Sequence, residues 1–396
     1  MFTSAPERAR AIPASPLHEI HDLVERRAGD AIALHVGEPH VPMPDSAREA
    51  FVRAIQDGHT YYTHAPGLPA LREVLAARLG ERAGFAISVD HVFVTPGSCQ
   101  ALAAVLQSLA LDGGIALLPE IHWPMHLQQV LLAGLEPRFY DIANASASPA
   151  GALEAAYRPG TCVVIVNSPA NPSGEVLAPD ALDEVHRWAV ERRVSVISDE
   201  AYEDFVYEGV PAVLARRDAA LPERDRVVFS VRTFSKGFSM TGCRLGYTVA
   251  PNPDRAGVLR RVQEATLVSP STPVQFAGLA ALDEADHLCA HHRYVRETRD
   301  EVLALPGFAD LLWARPAGGW YALLDLGAHT ADSDALCRDL LDRRGVALAP
   351  GNGFVARGHR LGSRLARLAF CRERAVTIEG VRRLLAHLEE RGRPAP

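Results

Sequence analysis

From about residue 90 the chain alternates short apolar runs with amphipathic stretches, and no other feature limits its possible folds as much. The runs are VFVT, IALL, PRFYDI, TCVVIVN, VSVISDE and RVVFSV, and segments such as 180–192 fill several of the gaps. Short apolar strands separated by helices predict an α/β arrangement, a mainly parallel sheet covered on both faces. The final third changes texture. After the turn-rich SPSTPVQ the pattern gives a long helix through Arg293 to Leu303, a strand WYALLDL, a helix from Ser333, the strand RLAF and a last helix from Arg374. This predicts a smaller α+β domain, joined by the N-terminal segment with its extended IALHVGEP. With 396 residues, 48% of them hydrophobic, the chain is long enough for both. The expected division is 1–45 for the N-terminal segment, 46–275 for the large domain and 276–396 for the C-terminal small domain. No internal repeat is present, the one biased tract is the short Ala/Ser-rich stretch near Asn144, and the Pro-, Arg- and Ala-rich ends are expected to fray.

A formal net charge of -7, with both signs spread along the sequence, provides no broad basic face for nucleic acid, so a small-molecule partner is the better default. The opening MFTSAPERARAIPASP lacks the apolar core of a signal peptide, and no apolar stretch is long enough to span a bilayer. A cytoplasmic protein is expected. Six cysteines, Cys99, Cys162, Cys243, Cys289, Cys337 and Cys371, form no CxxC pair, which indicates neither a metal site nor a disulfide framework.

The segment TFSKGFSMTGCRLGY follows RVVFSV and delivers Thr233, Ser235 and Lys236 to the carboxyl end of a strand, where ligands sit in open α/β sheets. A free lysine, with a pKa of about 10.4, is a poor nucleophile at neutral pH. Pyridoxal phosphate overcomes this by forming a Schiff base with the lysine, and its phosphate then needs donors. Hydroxyls before the lysine and Arg244 after it supply them; a solvated loop lysine beside a surface arginine is the plainer alternative. VFVTPGSCQAL runs through Gly97 and Ser98 into a helix, offering free backbone N–H groups to a phosphate, although most such turns bind nothing. SDEAY ends a strand with Asp199, placed either to keep a pyridine nitrogen protonated or simply to cap a helix. NSPANPSG offers Asn171 in a turn shaped by Pro172 and Gly174.

Together these motifs resemble the class I/II aminotransferases, fold type I pyridoxal phosphate enzymes, from LHVGEP near the N-terminus to RLAF near the C-terminus. The resemblance implies a seven-stranded, mainly parallel sheet in the large domain and pyridoxal 5'-phosphate as cofactor. It implies that Lys236 is the Schiff-base residue and that Ser235 and Arg244 bind the phosphate, with Thr233 assisting. The family's NPTG stands here as NPSG, which gives Asn171 the ring oxygen; D-x-A-Y stands as Asp199 to Tyr202, which gives Asp199 the pyridine nitrogen and Tyr202 the ring oxygen. Ser98 and Cys99 fall at the phosphate turn, and Trp123 falls where the family stacks an aromatic ring on the cofactor. Arg367 in RLAF is implied to clamp the substrate carboxylate, which Gly37 approaches through its backbone. Tyr62 matches a residue that reaches the phosphate of the neighbouring subunit, implying a homodimer with shared sites.

Three departures bear on the substrate. IGEPDF becomes VGEPHV, His122 and His126 flank the aromatic position, and His64 lies near Tyr62, so histidines, including His35 and His40, are dense in segments expected to border the pocket. Each is either a proton carrier near neutrality or an ordinary packing residue. The expected reaction moves an amino group between an L-amino acid and a 2-oxo acid. Elimination, cyclisation or decarboxylation on the same cofactor is the first alternative, and a non-catalytic or regulatory use of the fold the second.

Overall fold

The computed structural model describes residues 10, 12–14, 16–27, 31–110, 113–142, 148–211 and 213–392. The extreme ends and the Ala/Ser-rich stretch near Asn144 lie outside the described residues. In chain order the elements begin with α1 (Pro16–Glu25), β1 (Ile32–Ala33), α2 (Asp45–Gln56), α3 (Pro69–Ala83), β2 (Val92–Thr95) and α4 (Gly97–Leu109). There follow β3 (Ile115–Pro119), α5 (Pro124–Ala133), β4 (Glu136–Tyr140), α6 (Pro149–Ala156), β5 (Thr161–Asn167), α7 (Pro179–Arg192) and β6 (Ser195–Asp199). Next come β7 (Val228–Thr233), the single turn α8 (Phe234–Gly237), β8 (Gly246–Val249), α9 (Pro253–Thr266), α10 (Thr272–Ala281) and α11 (Ala285–Leu303). The chain closes with β9 (Tyr321–Asp325), α12 (Ser333–Arg344), β10 (Val346–Ala347), β11 (Ala349–Pro350), β12 (Leu365–Ala369) and α13 (Arg374–Arg391).

The large sheet has seven strands in the order β2-β8-β7-β6-β5-β3-β4, all parallel except β8, which runs against both neighbours. Its two faces can be read in β5, where Val163 and Ile165 join the core under α4 while Val164 and Val166 join the core under α7. A strand buried on both sides needs apolar residues at successive positions, and this is why the apolar runs stood out in the sequence. Six of them became strands. The seventh, β8, was not among those runs: it is four residues, GYTV, directly after the Lys236–Arg244 segment.

A second sheet, β11-β12-β9, is antiparallel and is backed by α11 and α13 through Val295, Val302, Val381 and Leu384. The extended IALH segment pairs with the C-terminal part as expected, Ile32 opposite Val346 and Ala33 opposite Ala347. Residue 275 falls inside α10, which packs on α2 and α3.

Beneath the carboxyl end of the large sheet, the guanidinium of Arg232 on β7 is buried against the carboxylates of Glu200 and Glu203, and Arg82 pairs with Glu203 at 2.5 Å. Removing one partner of a buried ion pair leaves the other charge without compensation. Arg232→Leu should therefore lower unfolding free energy by about 3–5 kcal/mol in urea titration. Arg383→Ala, which breaks an exposed helix pair with Glu379, should cost less than about 1 kcal/mol.

Candidate active site

Strand β7 ends at Thr233, whose hydroxyl caps α8 by accepting from the Ser235 N–H at 3.1 Å and donates to the Leu245 carbonyl at 3.2 Å. Phe234, buried in the core between α3 and α10, anchors the turn and directs Lys236 the other way. Lys236 Nζ lies 3.4 Å from the Gly37 carbonyl, 4.8 Å from the centre of the Trp320 ring and 5.4 Å from that of Tyr202. The amine thus sits against two aromatic faces with one acceptor in reach. Lys236 is also the sole lysine of the chain, among forty arginines.

Asp199 ends β6 with its side chain buried. Oδ1 accepts from the Ala201 N–H at 3.2 Å, and Oδ2 lies 2.8 Å from Nε2 of the fully buried His126. On the adjacent strand Asn167 stands in register with Asp199. Its amide accepts from the Asn171 N–H at 2.8 Å and donates to the Asp199 carbonyl at 3.1 Å, so one side chain sets the start of the NPSG turn relative to Asp199. Asn171 Oδ1 in turn accepts from Arg367 Nη1 at 2.9 Å, and Arg367 Nη2 donates to the His35 carbonyl at 2.7 Å. The Arg367 guanidinium also lies over the rings of Tyr321 and Phe354, at 4.0 and 4.7 Å. Its buried Nε has no partner among the described residues.

At the far end, Gly97 has φ +77°, and a Cβ there would stand 2.8 Å from Arg244 Nη2, so the bare backbone admits the guanidinium. Arg244 Nη1 donates to the Thr241 carbonyl at 2.7 Å. The first-turn N–H groups of α4 have no acceptors within the helix, and its dipole favours an anion beside them. Gln129 fixes Cys99, donating to its carbonyl at 2.9 Å and reaching its sulfur at 3.0 Å; burial pushes the thiol up, so it is a space-filling neutral group.

The structure brings most of the expected residues together. Gly37, Ser98, Cys99, Trp123, Asn171, Asp199, Tyr202, Thr233, Ser235, Lys236 and Arg244 all line one cavity of about 380 Å³, within the range of small-ligand sites. Gly97 packs behind Arg244, and Arg367 stands behind Asn171. Tyr62 does not join them within this chain: it is 84% exposed on the surface, beside the equally exposed Tyr61.

Sequence reasoning passed over Asn167, Tyr321 and Trp320. Tyr321 accepts a hydrogen bond from the Tyr202 hydroxyl at 3.1 Å and shares the cavity wall. Asn167 lay inside a quoted motif, and Trp320 and Tyr321 open the strand WYALLDL; the lone lysine was itself a signal. The side chain of His126 reaches the assembled residues, bonding Asp199 and packing edge-on against Trp123. His122 is buried with Nδ1 3.0 Å from the Pro119 carbonyl and its ring stacked on Phe139. His35 contributes its backbone carbonyl to Arg367, His40 stacks on Tyr294, and His64 is exposed. Among the described residues no group of three or more His, Cys, Asp or Glu is placed to hold a metal ion, and no helix is long and apolar enough to cross a membrane.

The family model for aminotransferase class I and II matches residues 29–388. An aspartate/prephenate aminotransferase of Thermus thermophilus is 32% identical over 85% of this chain and 87% of its own length. An aspartate aminotransferase of Thermotoga maritima is 30% identical over 97% and 98%, respectively. The crystal structure of the Thermotoga maritima aspartate aminotransferase superposes with a TM-score of 0.87 at 28% identity, covering 97% of this chain and all of that one. The chain belongs to the class I and II aminotransferases, with the fold type I architecture described above. It is an enzyme that moves an amino group between an amino acid and a 2-oxo acid.

Two outcomes follow from this geometry. A Cβ on Gly37 would overlap the Tyr321 hydroxyl, which is buried and bonded to Tyr202. Gly37→Ala must displace Tyr321 from beneath Arg367, and KM for the amino acid should rise about tenfold or more in steady-state assays. Burial pushes His35 and His122 down to about 3 and about 4, with neighbouring positive groups adding to the effect. The unfolded chain takes up these protons from about pH 6.5 downward and the folded one only near pH 3–4. Their contribution to stability is full above pH 6.5 and is lost as pH falls towards 4. The urea midpoint should fall over that window, and less steeply in His122→Asn.

Proposed function

We propose that this aminotransferase works with pyridoxal 5'-phosphate held at Lys236, on an L-amino acid and a 2-oxo acid, as a cytoplasmic homodimer with shared sites. The observation that carries the reading is the convergence of Lys236, Asp199, Asn171 and Arg244 on one cavity. The donor set fits the cofactor: N–H groups at the start of α4, the Ser235 hydroxyl and Arg244 suit a phosphate, and Asp199 suits a pyridine nitrogen. When bound, the cofactor supplies an aldehyde with which an amine condenses and a ring that takes up electrons from the substrate α-carbon.

The chain's own residues do the rest. Asp199, oriented by His126 and the Ala201 N–H, would hold the proton on the ring nitrogen. Asn171 and Tyr202 would hold the ring oxygen and Trp123 would stack on the ring, all three lining the cavity. Arg367, steadied by Asn171 and the His35 carbonyl, has its Nε to spare for the substrate α-carboxylate. Gly37 lets that carboxylate approach the backbone. The Lys236 amine, freed of the cofactor, would be the base that accepts the proton of the substrate α-carbon and holds it at Nζ for return.

Exposed Val52, Ile55, Tyr61 and Tyr62 support a second copy packing on this face, with Tyr62 reaching the partner's phosphate site. Six free cysteines support a reducing compartment. The same reading takes 46–281 as the cofactor domain, extended past 275 so that α10 stays whole, and 1–45 with 282–396 as the domain that clamps the substrate. Relatives named for aspartate make it the amino donor to assay first.

The test is spectroscopic. Protein loaded with pyridoxal 5'-phosphate should show the visible band of lysine-held cofactor, and borohydride should fix one cofactor on Lys236. Lys236→Ala, with no second lysine to substitute, should lose the band and at least about 10⁴-fold in rate. Addition of an amino acid alone should convert the band stoichiometrically without ammonia. Release of ammonia with the band restored would overturn transfer in favour of elimination.

A further inference from the structure

Behind Lys236 stands a histidine to which the reaction assigns no part. We propose that His291 on α11 is a positioning residue for Lys236, fixing the ε-amine through the Gly237 carbonyl and the Trp320 ring. The proposal rests on the reading of Lys236 as the cofactor lysine.

A one-turn helix cannot satisfy its own ends, and the last carbonyls of α8 need donors from elsewhere. The Phe238 N–H closes on the Lys236 carbonyl. The next carbonyl, that of Gly237, points at α11, where His291 Nδ1 lies 3.1 Å away. His287, one turn earlier on the same helix, stacks on Phe238 and meets the His291 ring edge-on, 5.9 Å between centres. The close approach of α8 to α11 depends on Gly237 having no side chain, since a Cβ there would stand 2.5 Å from Asp204 Oδ2 and 2.7 Å from Leu288 Cδ2. Thr233 fixes the start of the turn and His291 its end. Lys236 is held between them.

The second route runs through Trp320. Its ring centre is 4.8 Å from Lys236 Nζ and 5.6 Å from the His291 ring, and Phe205 packs edge-on against both rings, at 5.2 and 5.0 Å. His291 and Trp320 are both fully buried, so neither can shift without moving the other. Nδ1 also lies 3.4 Å from the Ser239 hydroxyl, which can accept as well as donate, whereas the nearer Gly237 carbonyl only accepts, which puts the imidazole proton on Nδ1. Burial pushes His291 down to about 4, so the ring is neutral and keeps that donor across the working range. The titratable groups around it are His287 and His292 on α11, Asp204 beside Gly237, and Lys236. Because Arg367 holds the substrate from the other sheet, loosening Lys236 should affect turnover more than binding.

The test compares His291→Phe, which keeps a ring and removes the donor, with His291→Asn, whose amide nitrogen can occupy the Nδ1 position. His291→Leu replaces the first should it fail to fold. Three readouts are taken: kcat against KM, the pH at which the visible band titrates, and the pH dependence of reductive methylation of Lys236 in cofactor-free protein. The last is followed by mass on the peptide that carries Lys236, the one lysine, which separates its ε-amine from the N-terminal α-amine. The donor-free variant should lose about tenfold in kcat, the equivalent of one hydrogen bond, with KM changed less than about threefold. Both titrations should move by about half a pH unit or more, and His291→Asn should restore all three. Wild-type titrations in the donor-free variant, or equal impairment in both variants, would overturn the proposal and leave His291 as packing. A wild-type protein without a visible band would sink the cofactor reading, while the methylation titration would still decide the role of His291.

Discussion

The site depends on the register of three parallel strands. Asn167 pairs with Asp199 across β5 and β6, and Asp199 pairs with Val231 across β6 and β7, which puts the residues that would hold the ring one strand away from the turn that carries Lys236. Alternating residues of β5 face different helices, so a slip of one residue would move every buried side chain to the wrong face. The hydrophobic core thus fixes the positions of polar groups that contribute little to it. The single reversed strand, β8, completes the arrangement by bringing the chain from Arg244 back beside β2, where the Gly97 turn receives the guanidinium.

The small sheet contributes Tyr321 from β9 and, from β12, Arg367. Arg367 projects from β12 and bonds both Asn171 of the large domain's NPSG turn and the His35 carbonyl of the N-terminal segment. A buried guanidinium is costly unless its donors are met, and here two are met by protein while the aromatic faces of Tyr321 and Phe354 surround it. Of the three N–H donors left over, the buried Nε has no partner among the described residues. Three parts of the chain, each folded in its own way, must therefore dock before this group exists in usable form.

Much of the fold was legible because β5, β6 and β7 are buried on both faces and carry consecutive apolar residues, Val163 to Val166, Val196 with Ile197, and Val228 with Phe229. β8 was not, because GYTV is short and its glycine packs against the backbone of Gly97 and Ser98 rather than displaying a side chain. Lys236, Asp199, Asn171 and Arg244 were legible as motifs whose spacing chemistry explains. The rest depends on contacts far apart in the chain. Trp320 and Tyr321 read as two more apolar residues of a strand until Lys236 and Tyr202 are seen against them, and the Lys236 contact with Gly37 spans 199 residues. The density of histidines was visible, but its meaning was not: His126 meets Asp199, His122 and His35 are packing, and the one beside the lysine segment, His291, lay in a helix predicted without any site residue.

The single lysine has a practical consequence of its own. A lysine-specific protease has one place to cut in this sequence, after residue 236, giving pieces 1–236 and 237–396. On the proposed reading, Lys236 carrying a reduced cofactor would not be such a substrate. Digestion of borohydride-treated, denatured protein would therefore report site occupancy as the ratio of whole chain to two fragments on a gel, turning a composition bias into a counter of working sites.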